Sequence, residues 1–414
     1  MKNTLKTFMI TTFVLFNILF ANNDPIVKTG IEVLRENNFD ILKNKNVGLI
    51  TNPTGVDSKL QSTIDILYQA KDVNLVAMFA PEHGVRGDYT AGEHVDTYID
   101  KVTGVTVYSL YGKNRKPSAE MLKNVDVLIY DIQDTGCRSY TYISTMGYAM
   151  TAAADNNIKF VVLDRPNPLN GNRVEGNIVE DGYFSMVSAF PIPYVYGLTC
   201  GELAKMLNEE KMLPDDAYCD LTVVPMKNWK RNMSFENTGL LWVPSSPHIP
   251  HKYSPFYYVA SGMIGELGIF NIGVGYTLPF QIYSAKWLDA QVVANEMNKL
   301  KLSGVIFRPI TFKPYYSHLK GEKLGGVQIH IVDHSKVNLM SMQFRFLEVV
   351  HKLYPKQGIF SEAKGRHKMF DKVCGTDKIR KIFAKNYKFD DIKPILEKDI
   401  EKFRQKSKKY YLYK

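Results

Sequence analysis

Apolar residues in the first half of the chain come in short unbroken runs. Asn46–Asn52, Asn74–Met78, Val105–Leu110, Asp126–Asp131 and Phe160–Asp164 carry little alternation. A strand without alternation is one covered on both faces, as in a parallel sheet. Helix-like patterns separate several of them, over Thr63–Ala70 and about Tyr142–Asn156. Leu198–Lys211 predicts a further helix, with Thr199 as cap and Glu202 closing a capping box. The strand Leu221–Pro225 follows. Strands alternating with helices predict an α/β fold, a Rossmann-like and mainly parallel sheet.

Near Trp242 the texture turns rich in Pro, Tyr and Gly, and a smaller mixed α/β C-terminal domain is expected from there. It should hold a helix over Asp289–Leu300, strands over Gly304–Ile310 and Gly326–Val332, and a helix from Met340 to Leu353. Ahead of both, Lys2 and Lys6 precede the uncharged run Phe8–Phe20 and Ala21. That is the layout of an export signal, too short to span a bilayer comfortably. The expected organisation is a signal peptide over 1–21, a Rossmann-like domain over 22–240 and a C-terminal domain over 241–414. No stable membrane span is expected once the signal is removed, and the protein is expected to be periplasmic or secreted.

The 414 residues are 45% hydrophobic and 23% charged, ordinary for a globular protein. A net charge of +10 favours anionic partners, among them an acidic cell-wall polymer. No helix-turn-helix, zinc-finger or aromatic-basic RNA signature is present, so no nucleic-acid partner is expected. The 25 Tyr and 22 Phe would suit a sugar-binding cleft, although most should pack the core. Cys137, Cys200, Cys219 and Cys374 have no metal-type spacing, and zero, one or two disulfides are compatible with them. There is no Gly-x-Gly-x-x-Gly turn and no Walker sequence, so no nucleotide cofactor is expected.

Candidate chemistry gathers where strands end. Pro81 stops the second strand, and Glu82, His83 and Arg86 follow immediately between glycines. Asn52 follows the first strand. Asp131 opens the polar loop that carries Asp134, Arg138 and Tyr140, and Asp164 opens Asp164-Arg165-Pro166-Asn167. In open α/β sheets ligands bind outside these carboxyl ends. Several carboxylates round one cleft fit glycoside hydrolysis, which needs a protonated acid and usually a second carboxylate. Glu82 is the first candidate acid and Asp131 the second carboxylate; a 2-acetamido sugar can instead supply its own nucleophile. Arg165 either braces a neighbouring aspartate or takes a substrate carboxylate bidentately. His83, Asp88, Glu93, His94 and Asp96 are suitable metal ligands, but their spacing matches no standard zinc set and no metal is expected. A serine hydrolase is disfavoured for want of a nucleophile elbow.

These motifs together resemble the NamZ-type exo-β-N-acetylmuramidases of bacteria. The resemblance rests on Thr51-Asn52-Pro53-Thr54-Gly55, on Ala80 to Gly87, and on Asp131-Ile132-Gln133-Asp134 with Arg138 to Tyr142. It extends through Leu163 to Pro168, Pro193 to Thr199, Gly325 to Gln328, and Phe370-Asp371-Lys372 with Gly375-Thr376-Asp377. It implies two domains with a cleft between them, release of terminal N-acetylmuramic acid from peptidoglycan fragments, no cofactor, and Glu82 as the catalytic residue. Asn52, His83, Arg86, Asp134, Arg138, Tyr140, Asp164, Arg165 and Asn167 are the expected substrate contacts. Where many members read Ser-Glu-Gly-Arg-Gly this chain reads Asn271-Ile272-Gly273-Val274-Gly275, and where many have Cys-Gly-Gly it has Leu324-Gly325-Gly326. The lost acid and base point to shifted specificity. A cell-wall sugar-binding protein without catalysis and a metal-dependent hydrolase are the competing expectations.

Overall fold

The computed structural model describes residues 27–87, 96–112 and 114–414. The expected signal segment, 1–21, lies outside them, as do Asp88, Glu93 and His94 of the possible metal set.

Seven strands form the first sheet. β1 (Lys45–Thr51), β2 (Val73–Ala80), β3 (Tyr98–Ile99), β4 (Thr106–Ser109), β5 (Val127–Asp131), β6 (Lys159–Leu163) and β7 (Leu221–Val224) stand in the order β3-β4-β2-β1-β5-β6-β7. All pairings are parallel except β3 on β4 at one edge. The continuous apolar runs divide themselves between two faces. Ile50, Phe79, Leu128, Tyr130, Phe160 and Val162 pack on one side. Leu49, Met78, Val127, Ile129, Val161 and Leu163 pack on the other. Side chains alternate across the pleat although the hydropathy does not, because both faces are covered.

Helices α1 (Gly30–Glu36) and α2 (Thr63–Gln69) cover one face, α3 (Tyr142–Asp155) and α4 (Cys200–Glu209) the other. The α4 start is the capping box read from Thr199 and Glu202. From β1 the chain moves outward to β2 and β4, then returns to β5 on β1's other side. This reversal makes the carboxyl ends of β1 and β5 the switch point, where Thr51 faces Asp131 in register.

The second unit opens with α5 (Ser254–Gly265). An antiparallel sheet follows, β8 (Ile282–Ala285), β9 (Val305–Phe312) and β10 (Leu324–Ile331), in the order β8-β10-β9. It packs with α5, α6 (Ala290–Lys299) and α7 (Leu339–Leu353) about one large apolar core. After α8 (His367–Cys374) and further short helices, the tail crosses back. Phe403 of α9 (Ile400–Ser407) and Tyr410 join the core under α3 and α4, and the Arg231 N–H donates to Lys414 O at 3.0 Å. No helix among the described residues is long and apolar enough to cross a membrane. All four cysteines are buried and unpaired.

Candidate active site

β2 ends at Ala80, and Pro81 to Gly84 turn sharply, closed by Gly84 N–H on Pro81 O at 3.2 Å. His83 adopts a left-handed φ of 79°, uncommon for a residue with a Cβ and a form of strain that clusters at functional sites. Pro81, His83, Gly84 and Val85 are buried, which leaves Glu82 as the partly exposed side chain of the turn.

Three tyrosines lie within electrostatic reach of this carboxylate. Burial raises the Tyr111 phenol above its ordinary value, and the charge of Glu82 and a hydrogen bond to it add to the rise. Tyr140 and Tyr142 are raised chiefly by burial too, with the Glu82 charge contributing to each. Both are pinned from the loop before α5: Tyr140 Oη lies 2.9 Å from Ser245 Oγ, and Tyr142 donates to Ser245 O at 2.5 Å. The Tyr140 ring meets Tyr142 and Tyr258 edge-on, with centroids 5.1 and 5.4 Å away. His248 comes from the same loop. Its imidazole is lowered by burial and then by His83, and its Nε2 lies 2.9 Å from the Tyr316 hydroxyl. The wall facing Glu82 is therefore built by both units. Asn52 sits at the switch point with Oδ1 held by the Thr54 amide at 2.9 Å, while its Nδ2 is buried without a hydrogen bond.

Of the sequence candidates, Tyr140 lies within reach of the Glu82 charge, Asn52 lies beside Tyr142, and His83 follows Glu82 in the turn. The other candidates make hydrogen bonds within the fold. Asp131, fully buried, takes Arg165 Nε at 2.5 Å and Nη2 at 3.0 Å, with Thr63 donating at 2.5 Å. Arg165 also donates to Val56 O at 2.8 Å, so this pair braces the switch point and neither partner faces the cleft. Arg86 closes on Asp100 at 2.7 and 3.0 Å, holding the loop after β2 rather than a ligand. Asp164 accepts from Thr199, Gly201 N–H, Arg165 N–H and Tyr413, clamping α4 and the tail. Asn167 is spent on Leu198 O and Leu169 N–H. Arg138 has no exposed surface and donates to the carbonyls of Asn177, Ile192, Val373 and Cys374; burial lowers its guanidinium to about 10. Asp134 accepts from Tyr196 and Gly136 N–H, and its second oxygen is unpartnered beside a void of about 10 Å³, too small for a sugar.

What the sequence reading missed is the aromatic wall. Tyr111, Tyr258, His248 and Tyr316 lie far apart along the chain, and His248 sat in a segment read only as a change of texture. Beyond the Tyr140–Tyr258 pair opens a cavity of about 580 Å³ lined by Ser139, Tyr258, Phe280 and the Asn271–Val274 loop. Ile272 and Val274, the residues that depart from the expected motif, form part of its wall. Among the described residues no three His, Cys, Asp or Glu side chains cluster as a metal set.

This geometry has counterparts. The family profile described as Exo-beta-N-acetylmuramidase NamZ, N-terminal, matches residues 47–253, and its C-terminal companion matches 256–413. The chain is 45% identical over 389 residues to the peptidoglycan beta-N-acetylmuramidase NamZ of Bacillus subtilis (strain 168), covering 94% of this chain and 92% of that one. A crystal structure of a DUF1343 family protein from Bacteroides fragilis NCTC 9343 superposes with a TM-score of 0.90 at 58% identity, over 94% of this chain and 99% of that one. A second from the same organism gives 0.76 at 31% identity, over 94% and 99%. With both profiles matched in tandem across its two units, the chain belongs to the NamZ exo-β-N-acetylmuramidase family.

Proposed function

We propose that the protein is a peptidoglycan glycosidase that releases terminal N-acetylmuramic acid from muramyl saccharides, with Glu82 as general acid. The observation that carries the residue assignment is that Glu82 lies half-buried among Tyr111, Tyr140 and Tyr142, while Asp131, Asp134 and Asp164 are committed to internal contacts. The protonated Glu82 gives its proton to the glycosidic oxygen as the bond to C1 breaks. In this reading the substrate replaces the second carboxylate that glycosidases usually supply. The 2-acetamido group of the substrate fills that role: its carbonyl oxygen bonds to C1 as the leaving oxygen departs. Water then opens the resulting ring, giving its proton to the Glu82 carboxylate. Tyr140, His83 and Asn52 supply hydrogen-bonding groups to orient the acetamido arm. Export belongs to the proposal, since a peptidoglycan substrate lies outside the cytoplasm and Lys2 to Ala21 reads as a signal.

The test is Glu82→Gln, assayed on a chromogenic N-acetylmuramic acid glycoside. Turnover by the wild type and its loss by the folded variant are expected. Wild-type binding of the sugar without turnover would favour the sugar-binding alternative.

A further inference from the structure

With Arg165 closed on Asp131 and Val56 O, the anionic arm of a muramyl ligand needs another cation. The 580 Å³ cavity beyond Tyr140 offers another. Such a volume falls in the range of small-ligand pockets, roughly 300–1,000 Å³. Its wall is apolar over Val187, Phe270, Ile272, Val274 and Phe280, and its rim carries Glu266 and Arg366. Gly268, with φ 70°, lines it as well, and a Cβ there would stand 3.4 Å from the Arg366 stem. Arg366 is tethered without being spent. Its Nε donates to Glu266 O at 3.1 Å, and one Nη reaches the Glu266 carboxylate only at 3.4 Å. The Arg366 side chain is 55% exposed, and an ion pair that open is weak and exchangeable. The remaining nitrogen of the guanidinium fork has no described partner, and a guanidinium is suited to bidentate capture of a carboxylate. One lining residue points back toward Glu82. Tyr258 lines it, feels the charge of Glu266, and packs on Tyr140, which feels Glu82.

We propose that this cavity binds the carboxylate-bearing arm of the muramyl ligand, with Arg366 as its cation and the Ile272–Val274 wall against the arm's apolar part. The assignment rests on the muramidase reading. Its chemistry is a carboxylate, which either the free lactyl ether or a peptide attached to it would present.

Binding is measured by calorimetry, so that no turnover is needed, on three probes: N-acetylmuramic acid, N-acetylmuramyl dipeptide and N-acetylglucosamine, which lacks the arm. Arg366→Gln should weaken at least one of the two muramyl probes roughly ten- to hundredfold and leave N-acetylglucosamine unchanged. Loss confined to N-acetylmuramic acid assigns the lactyl carboxylate as the anion. Loss confined to the dipeptide assigns the peptide carboxylate. Glu266→Gln removes the competing anion and should tighten the affected probe, the opposite of what a merely structural pair would give. Unchanged muramyl binding in Arg366→Gln overturns the proposal, as does equal weakening of all three probes. So does the same selective loss in Arg115→Gln instead, since Arg115 lies in the loop beside Tyr111. A Glu82→Gln variant that still binds the muramyl probes but does not turn over keeps the muramidase reading alive in each of those cases.

Discussion

Asp134 and Asp164 each carry a carboxyl raised to about 6, chiefly by burial. An unfolded aspartate titrates near about 4. Between those values the folded protein holds protons that the unfolded chain has released, so stability falls as pH rises through the window and is flat above it. Asp100 has the opposite sign. Its hydrogen bonds from Arg86, opposed by burial, hold it at about 2. That contribution is complete above about 4 and is lost as pH falls toward about 2. Thermal melts from pH 2 to 8 should therefore show Asp100→Asn lacking part of the acid-side decline; an unchanged acid limb would contradict the pairing. Asp164→Asn puts an amide N–H₂ against one of two donor pairs, the Gly201 and Arg165 N–H groups or the Thr199 and Tyr413 hydroxyls. It should cost roughly 2–4 kcal/mol in denaturant titrations, without specific effect on muramyl binding by the folded fraction. These residues mark the limit of sequence reading at this scale. A strand-end aspartate looks the same whether it faces a ligand or a buried arginine. Only the neighbour decides, and Arg165 reaches Asp131 from 34 positions away.

At the scale of elements, the buried strands and the capped helix were legible because their signals are local. Continuous apolar runs bounded by polar residues located β1, β2, β4, β5 and β6, and the Thr199–Glu202 box located α4. Other elements carried no comparable signal. α1 is only seven residues long, and α5 begins in the Pro- and Tyr-rich stretch that resembles a loop. The place of α1 depends instead on contact: a Cβ on Gly30 would stand 2.5 Å from Asp164 N and 2.7 Å from Leu163 Cα. Gly30→Ala should accordingly cost about 1–3 kcal/mol, read from the urea midpoint, because the helix start must lift off β6. An unaltered midpoint would mean that α1 does not bear on the sheet as described.

Across the whole molecule, two units read from sequence texture are bound by contacts that texture does not record. Arg138 leaves the loop after β5 and donates to Val373 and Cys374 at the end of α8, more than 230 positions along the chain. The tail returns to Asp164 through Tyr413. Arg138→Met would leave four buried carbonyls without their charged donor, a loss of roughly 3–5 kcal/mol. Calorimetry should then resolve two unfolding transitions where the wild type has one; a single transition at the wild-type temperature would refute this coupling. The family resemblance was legible because its N-terminal motifs fall largely at strand ends. The cleft itself was not, since its wall joins Tyr111 and Tyr140 to His248, from the loop before α5, and to Tyr316 of the second unit. The most direct measurement is the rate at which Glu82→Gln releases N-acetylmuramic acid from a chromogenic muramide, against a wild type with the same melting curve. A fall in kcat of about 100- to 10,000-fold is expected; near-wild-type release by the folded variant would remove Glu82 from the chemistry and the account with it.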